Sequence, residues 1–240
     1  MATYRRLLDQ HGPQDWWPGE SPFEVMAGAV LTQNTAWINV ERAIENLKRD
    51  DLLDPQSIVA VPISRLAARI KPAGYFNVKA RRLRNFCSWY MEKGGYASLS
   101  RWNTASLRRG LLSVNGIGRE TADDILLYAF HRDVFVIDAY TRRIFSRLGF
   151  VNGDEDYDTM REVFERTLVK EWRSGDGNNK GSTSGKRKAM VRLFNEFHAL
   201  VVNHGKDICR VKPRCEQCCL SRYCPTSTGQ PTVSASGSWR

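Results

Sequence analysis

The sequence predicts an all-α fold, and three observations support this prediction. Apolar residues recur at helical spacing through most of the 240 residues. Strand-like alternation is almost absent, and the only β-branched run is the short segment 134–137. An apolar content of 42% is typical of a globular protein with a full core. No apolar stretch is long enough to span a bilayer.

The first strong helix signal is a start motif at residues 21–24. Ser21 is a typical N-cap, Pro22 suits the first helical position, and Glu24 completes a capping box. Helical apolar stripes follow along the chain, beginning at Phe23, Trp37, Leu83, Leu107, Ala122, Ile144, Met160 and Met190. The segment 173–188 is rich in Gly, Ser, Asn and Lys and is predicted to be a solvated loop, and the polar segment from Pro225 onward a disordered tail.

Charge and cysteine usage restrict the class of protein. The formal net charge of +10 favours a polyanionic partner such as nucleic acid, because basic side chains release the counterions of phosphates. The first ten residues lack the apolar core of an export signal, so we expect an intracellular protein of the cytoplasm or nucleoid. Five of the six cysteines lie between residues 209 and 224, which in a reducing compartment indicates a metal or metal–sulfur site.

A glycine turn links two helical stripes between Leu112 and Asp124. Gly116 and Gly118 permit a tight turn and leave main-chain N–H groups unshielded, and a helix is predicted to begin near Arg119. Together these features form an anion site suited to a DNA phosphate. The alternative is a helix–turn–helix link in which the glycines serve only steric needs.

Asp138 stands where a buried apolar run meets the next predicted helix. The positive end of that helix favours an ionised carboxylate there. An ordinary N-cap is the alternative interpretation, and it is the commonest role for such a residue.

The motifs taken together resemble the helix-hairpin-helix DNA glycosylases of the endonuclease III type. The similarity comprises Leu31-Thr-Gln-Asn-Thr35, Gly74-Tyr-Phe-Asn-Val-Lys-Ala80, the hairpin from Leu112 to Ala122, the segment Val136-Ile-Asp-x-x-x-x-Arg143, and His204-Gly-Lys206 before the cysteines. These segments occur in the family order and cover most of the chain.

The resemblance implies roles for single residues. Asp138 would stabilise the oxocarbenium-like sugar and orient or activate water as the N-glycosidic bond breaks. Gln33 would fill the space left by the extruded base, with Asn34 as a pocket neighbour. Further DNA contacts are expected in the hairpin and near the cysteines, from Asn115, Gly116, Gly118, Arg119, Thr121, Lys206, Lys212 and Arg214.

Glu120 replaces the lysine that forms a Schiff base in endonuclease III itself. A carboxylate cannot form an imine, so we expect a monofunctional glycosylase that uses water. Glu120 is taken as a second active-site residue, or as a first-turn acid of its helix. A glutamate here resembles the bacterial 3-methyladenine glycosylases of the superfamily, so the favoured substrate is an alkylated purine. The alternatives are a mismatch uracil or thymine glycosylase, a bifunctional lyase using another amine such as Lys79, and a non-catalytic DNA damage-binding or redox-sensing protein.

The cysteine spacing resembles the cluster loop of endonuclease III. Cys209, Cys215, Cys218 and Cys224 have gaps of five, two and five residues, whereas the first gap of the family is usually one residue longer. The resemblance implies a [4Fe-4S] cluster. Zinc is the rival, although zinc sites usually use two close cysteine pairs. Cys219 is then a free thiol.

The resemblance also implies an arrangement of domains. We expect a helical barrel with the hairpin at 21–133, and a second lobe made of 1–20 plus 134–225 that holds the cluster. The tail is 226–240. The active-site cleft is expected between the lobes, with Asp138 at their junction. The partner would be double-stranded DNA carrying a damaged or mismatched base, bound by a monomer.

Overall fold

The computed structural model describes residues 1–16, 19–175 and 183–229, and every regular element in that part of the chain is a helix. This confirms the prediction of an all-α fold. The chain divides into two compact units, Met1–Trp16 with Asp133–Arg240, and Trp17–Arg132. None of the helices among the described residues combines the length and apolarity needed to cross a membrane.

The described residues form thirteen α-helices, together with one π-helical turn and three short 3₁₀ turns. The helices are α1 Ala2–His11, α2 Pro22–Leu31, α3 Trp37–Arg49, α4 Pro55–Ala60, α5 Ile63–Arg69, α6 Phe76–Glu92, α7 Gly95–Leu99, α8 Thr104–Leu112, α9 Arg119–Asp124, α10 Ala139–Arg147, α11 Tyr157–Gly175, α12 Thr183–Asp207 and α13 Pro225–Thr228. A π-helical turn at Ile125–Ala129 continues α9, and 3₁₀ turns lie at Lys71–Ala73, Cys215–Gln217 and Ser221–Tyr223.

Helix α2 is the central element of the unit Trp17–Arg132. The Ser21 hydroxyl accepts the N–H of Glu24 at 3.2 Å and Pro22 begins the helix, which confirms the predicted start. Most of the side chains of α2 are buried, and the helix contacts α3, α6, α9 and the π-helical turn. A helix that is apolar on most faces is stable only inside a core. The hairpin between α8 and α9 is therefore carried on a well-packed support.

Lys79 of α6 is a buried cation in the core of this unit. Its ammonium donates to the carbonyl of Leu31 at 2.8 Å and to that of Ala73 at 2.7 Å. These bonds join the end of α2 to the 3₁₀ turn that precedes α6. Burial, and then the charge of Arg82, lower the pKa of Lys79 to about 8.

The core of the other unit is an aromatic cluster around Phe135. Its ring is stacked on Phe164 with centroids 5.3 Å apart and meets Phe194 edge-on at 5.5 Å. Phe197 and His198, both on α12, also contact this ring. Helices α1 and α10 pack against α12. The short β-branched run 134–137 therefore supplies core side chains without forming a strand.

The prediction of a solvated loop over residues 173–188 is wrong at both of its ends. Helix α11 continues to Gly175 and α12 already begins at Thr183, while residues 176–182 lie outside the described part. Lysine and arginine are good helix formers, so the basic run before Met190 extends α12 towards its N-terminus. Arg187 also pairs with Asp133 at 3.0 Å.

The segment predicted as a disordered tail begins with a helix. Residues Pro225–Thr228 form α13, with the proline in the first turn and Gly229 ending the helix in a left-handed conformation. The Thr226 hydroxyl donates to the carbonyl of Arg147 at 3.2 Å, which attaches this helix to α10. The rest of the predicted tail, 230–240, lies outside the described residues.

Candidate functional site

The two hairpin glycines have different reasons to be glycine. Gly116 has a φ of +100°, and a Cβ atom there would overlap the Arg82 side chain. Gly118 has extended backbone as the N-cap of α9, and a Cβ atom there would meet nothing within 4 Å. Gly116 therefore permits the turn itself, whereas Gly118 leaves an open face at the start of α9.

The side chain of Gln33, which follows α2, is hydrogen-bonded to the hairpin. Its amide nitrogen donates at 3.0 Å to the carbonyl of Gly116 and at 3.0 Å to the hydroxyl of Thr121. Its amide oxygen accepts a hydrogen bond from Arg82. The structure thus brings together three of the residues predicted to contact DNA, Gln33, Gly116 and Thr121. Thr121 is buried, so its hydroxyl serves this network.

The remaining hairpin residues predicted for the site face solvent. Asn115, Arg119 and Glu120 are exposed, with Glu120 in the first turn of α9. Asn34 is also exposed and has a left-handed backbone with φ of 54°. Exposed side chains of this kind are available to a partner without rearrangement of the core.

A basic cavity lies between the hairpin and α6. It has a volume of about 680 Å³, and its lining includes Arg81, Arg82, Arg84 and Asn115, with no acidic side chain. The sequence did not identify the three arginines, because their spacing along α6 does not reveal that they line one cavity with Asn115 and Gly116.

A buried ion pair joins the two helices of the hairpin. The Arg108 guanidinium on α8 donates to both carboxylate oxygens of Asp123 on α9, at 2.7 and 3.1 Å. The Asp123 side chain is 0% exposed. A two-point bond between a guanidinium and a carboxylate fixes direction as well as distance. The pair therefore fixes the angle between the two helices of the hairpin. Its spacing of 15 residues gives no sign of it in the sequence.

Asp138 is the N-cap of α10 and is buried. One carboxylate oxygen accepts the N–H of Thr141 at 2.6 Å and its hydroxyl at 2.7 Å. Burial alone would raise the pKa of Asp138, but His198 and the two donors of Thr141 outweigh it. The pKa of the carboxyl therefore lies below its ordinary value, and Asp138 is ionised at neutral pH.

His198 is a residue of this site that the sequence analysis missed. Its Nε2 atom lies 3.7 Å from the second carboxylate oxygen of Asp138, and its side chain is 5% exposed. The Trp16 ring is stacked on the imidazole, with 6.2 Å between centroids and 16° between planes. A lone histidine on the apolar face of a helix gives no local signal that separates it from a core residue.

The four predicted ligand cysteines line one cavity. Cys209, Cys215, Cys218 and Cys224 all face it, whereas Cys219 does not. Arg147 donates to the Cys209 sulfur at 3.3 Å and the Leu220 N–H to the Cys218 sulfur at 3.4 Å. Across the described residues, no three His, Cys, Asp or Glu side chains form a group that could hold a metal ion as they stand.

The His-Gly-Lys motif before the cysteines is explained by packing. His204 is fully buried, with Nδ1 2.9 Å from Nε2 of His11 and Nε2 3.3 Å from the sulfur of Cys218. Burial, and then the charge of His11, lower the pKa of His204 to about 4. A Cβ atom at Gly205 would lie 2.6 Å from the Tyr140 ring, so only glycine fits there.

The chain segment around the cysteines is held by arginines and presents basic side chains. Arg143 donates to the carbonyls of Gly205 and Cys209 at 2.7 and 2.8 Å. The predicted DNA contacts Lys206, Lys212 and Arg214 are all exposed. The structure thus fixes the main chain of this segment while its charged side chains face solvent.

Comparisons with known proteins agree on one family. The chain matches the family profile of HhH-GPD superfamily base excision DNA repair proteins over residues 27–170. It is 44% identical to a candidate DNA repair glycosylase of Methanocaldococcus jannaschii, covering 92% of this chain and 93% of that protein. It is 28% identical to endonuclease III of Sulfolobus acidocaldarius, covering 84% of this chain and 81% of that protein.

Two solved structures have the same fold. The 3-methyladenine DNA glycosylase of H. pylori bound to 1,N6-ethenoadenine is 31% identical, with a TM-score of 0.70 over 85% of this chain and 93% of that one. An endonuclease III–DNA complex is 21% identical, with a TM-score of 0.72 over 95% of this chain and 94% of that one.

Proposed function

This chain belongs to the HhH-GPD superfamily of base excision DNA repair proteins, and from that premise we propose that it is a monofunctional DNA glycosylase. The reaction is hydrolysis of the N-glycosidic bond of a damaged base, with water as nucleophile. The observation that carries the proposal is the buried, ionised carboxylate of Asp138. A fixed negative charge stabilises the positive charge that develops on the sugar as the bond breaks.

The geometry of Asp138 suits this role. Thr141 occupies one carboxylate oxygen with two donors, which fixes the orientation of the group. The other oxygen is then the one that faces the oxocarbenium-like sugar, or that accepts a hydrogen bond from the attacking water. Preorganisation of this kind avoids the cost of reorienting the carboxylate during the reaction.

Two observations support the monofunctional assignment. By the resemblance of the hairpin, Glu120 matches the position of the Schiff-base lysine of endonuclease III, and a glutamate offers no amine. Lys79, the substitute weighed from the sequence, is 1% exposed and donates to two main-chain carbonyls. A nucleophilic lysine has to reach the sugar, and this one is engaged in the core.

The duplex is proposed to bind through phosphate contacts of two kinds. The open face at Gly118, beside Asn115 and Arg119, offers main-chain N–H groups at the start of α9. Exposed basic side chains add charge, namely Arg81 of the cavity beside the hairpin and Lys206, Lys212 and Arg214 near the cysteines. Gln33 and Asn34 stay proposed contacts to the space of the extruded base, and Gln33 would have to exchange its present partners to reach it.

An alkylated purine such as 3-methyladenine is the proposed substrate. The H. pylori relative whose structure contains 1,N6-ethenoadenine is a 3-methyladenine glycosylase and shares 31% of its residues with this chain. A positively charged alkylated base is a good leaving group, so its release needs less assistance than that of a normal base. The carboxylate of Glu120 is proposed to contact this base or the water.

The cysteine cavity is proposed to hold a [4Fe-4S] cluster. The donor set fits, because four cysteine sulfurs face one cavity and two of them already accept N–H donors that stabilise thiolates. When bound, the cluster would act as a crosslink that orders the loop. The chain itself presents Lys212 and Arg214 from that loop.

The test is single-turnover release of free base from duplexes that differ in the lesion. The panel contains 3-methyladenine, 1,N6-ethenoadenine, uracil opposite guanine, thymine opposite guanine, and thymine glycol, each with and without alkali. We expect base release from the alkylated duplexes, with strand breaks only after alkali. Breaks without alkali, trapped by borohydride, would contradict the monofunctional assignment. Release only from the mismatched or oxidised duplexes would contradict the substrate, and tight binding without any release would indicate a non-catalytic binder.

The variant that tests the role of the carboxylate is Asp138→Asn, and Asp133→Asn is its matched control. Asparagine is as good an N-cap as aspartate, so α10 keeps its cap while the charge is removed. Asp133→Asn makes the same substitution at an exposed ion pair of the same unit. We expect base release to be lost in the first variant and kept in the second.

A further inference from the structure

We propose that His198 is the positioning residue of Asp138: its imidazole holds the second carboxylate oxygen in the direction used for base release. This inference rests on the proposed function and names a residue outside the motif segments quoted from the sequence. It starts from the asymmetry of the carboxylate. One oxygen has two donors from Thr141, whereas the other faces Nε2 of His198 at 3.7 Å.

The distance decides how His198 acts. At 3.7 Å, Nε2 is beyond a direct hydrogen bond but within range of a charge–dipole or charge–charge interaction. The imidazole thus limits the rotation of the carboxylate without saturating the oxygen. An oxygen held by two strong donors would be a poor acceptor for water, so a looser partner suits a reacting group.

The imidazole itself is held from two sides. The Trp16 ring is stacked on it and the Phe135 ring meets it nearly edge-on, at 6.3 Å and 79°. The segment that carries Trp16 is tied to α12 because Glu196 accepts the Gln14 N–H at 2.6 Å and Asn203 donates to the Gln14 side chain at 2.7 Å. A ring packed in this way has few rotamers, which is what a positioning residue requires.

The first test compares three substitutions in the full-length protein. His198→Leu keeps an apolar side chain but removes the nitrogen, and His198→Gln restores an amide nitrogen at a similar reach. Phe194→Leu is the matched control, because Phe194 lies in the same aromatic cluster on α12 and contacts Phe135 instead of Asp138. Thermal midpoints and the Kd for an undamaged duplex show whether folding and binding are kept.

The readout is the single-turnover rate on the duplex from which wild type releases base fastest. We expect His198→Leu to lower that rate by about 100-fold, the cost of a carboxylate displaced by ~1 Å, with Kd unchanged. We expect His198→Gln to recover most of the rate, and Phe194→Leu to lose thermal stability but not rate. A wild-type rate in His198→Leu would overturn the inference, as would equal losses in the leucine and glutamine variants.

A second measurement is independent of substrate. The chain has four histidines, so nitrogen NMR of labelled histidine resolves few signals, and His198→Gln identifies the one of interest. We expect Asp138→Asn to shift the Nε2 resonance of His198 and to leave that of His131 in place. No shift would overturn the inference. Failure of base release by wild type, together with a shifted resonance, would contradict the proposed function and leave the contact between the two residues established.

Discussion

The ammonium of Lys79 donates to the carbonyl of Leu31 at 2.8 Å, from a side chain that is 1% exposed. Leu31 is the last residue of α2, where helix carbonyls have no partner within the helix. The lysine therefore caps the central helix of its unit from inside the core. A buried lysine in a member of a DNA repair family invites a catalytic interpretation, but the contacts of Lys79 are structural.

Replacing Lys79 should destabilise the fold. In Lys79→Met two buried carbonyls lose their donor, and we expect the free energy of unfolding to fall by about 3 kcal/mol, as for other buried groups left without partners. Lys71→Met is the control, since Lys71 is exposed in the adjacent turn. Urea denaturation with unchanged m-values measures both. Equal stability of the two variants would contradict the capping role.

The same lysine predicts a pH dependence of stability. Its pKa is about 8 in the folded protein and 10.5 ordinarily. Between these pH values the unfolded chain binds more protons than the folded one, so this residue makes stability rise with pH across that window. We expect the difference in unfolding free energy between wild type and Lys79→Met to grow from pH 8 to pH 10. A difference that stays constant would show that the folded pKa is not lowered.

The buried pair Arg108–Asp123 predicts a non-additive cycle. Arg108→Met removes both guanidinium donors from the buried Asp123 carboxylate, and we expect a loss of about 3–5 kcal/mol. The double variant Arg108→Met, Asp123→Leu also removes the buried carboxylate and should be more stable than Arg108→Met alone. Denaturant titrations of the wild type, Arg108→Met, Asp123→Leu and the double variant give the coupling energy. Additive effects would mean that the pair is solvated.

The two hairpin glycines should respond differently to alanine. Gly116→Ala combines a left-handed φ with overlap on Arg82, so we expect a destabilisation of about 1–3 kcal/mol. Gly118→Ala has room and an ordinary φ, so the fold should persist, but its methyl group enters the face proposed for phosphate. We expect weaker binding of an undamaged duplex with little change in thermal midpoint. Wild-type affinity of Gly118→Ala would argue against phosphate binding at that face.

Neighbouring cysteines should differ in cluster binding. Cys218 faces the cavity and accepts a main-chain N–H, whereas Cys219 lies outside the cavity lining. We expect Cys218→Ser to lose iron, acid-labile sulfide and visible absorption, and Cys219→Ser to keep all three. If instead Cys219→Ser loses the iron, the ligand assignment shifts by one residue. Stoichiometric zinc without sulfide in the wild type would exclude the iron–sulfur assignment.

Features that depend on a few neighbouring residues were predictable from the sequence. The N-cap at Ser21, the helical stripes and the glycine turn of the hairpin all follow from backbone geometry within one or two turns. The wrong prediction of a loop over 173–188 also came from local composition. Composition indicated a loop, but the basic residues before Met190 are also good helix formers, and the pairing of Arg187 with Asp133 joins distant parts of the chain.

Local patterns in the sequence were enough to predict the all-α class, the hairpin, the catalytic candidate Asp138 and the set of cysteines. Three contacts depend on how the helices pack: His198 faces Asp138, Arg108 pairs with Asp123, and Gln33 is bonded to Gly116 and Thr121. Local patterns are repeated in every helix and can be recognised in a short window. The partner of a buried polar group is set by which helix faces meet in the core, and no spacing along the chain specifies that.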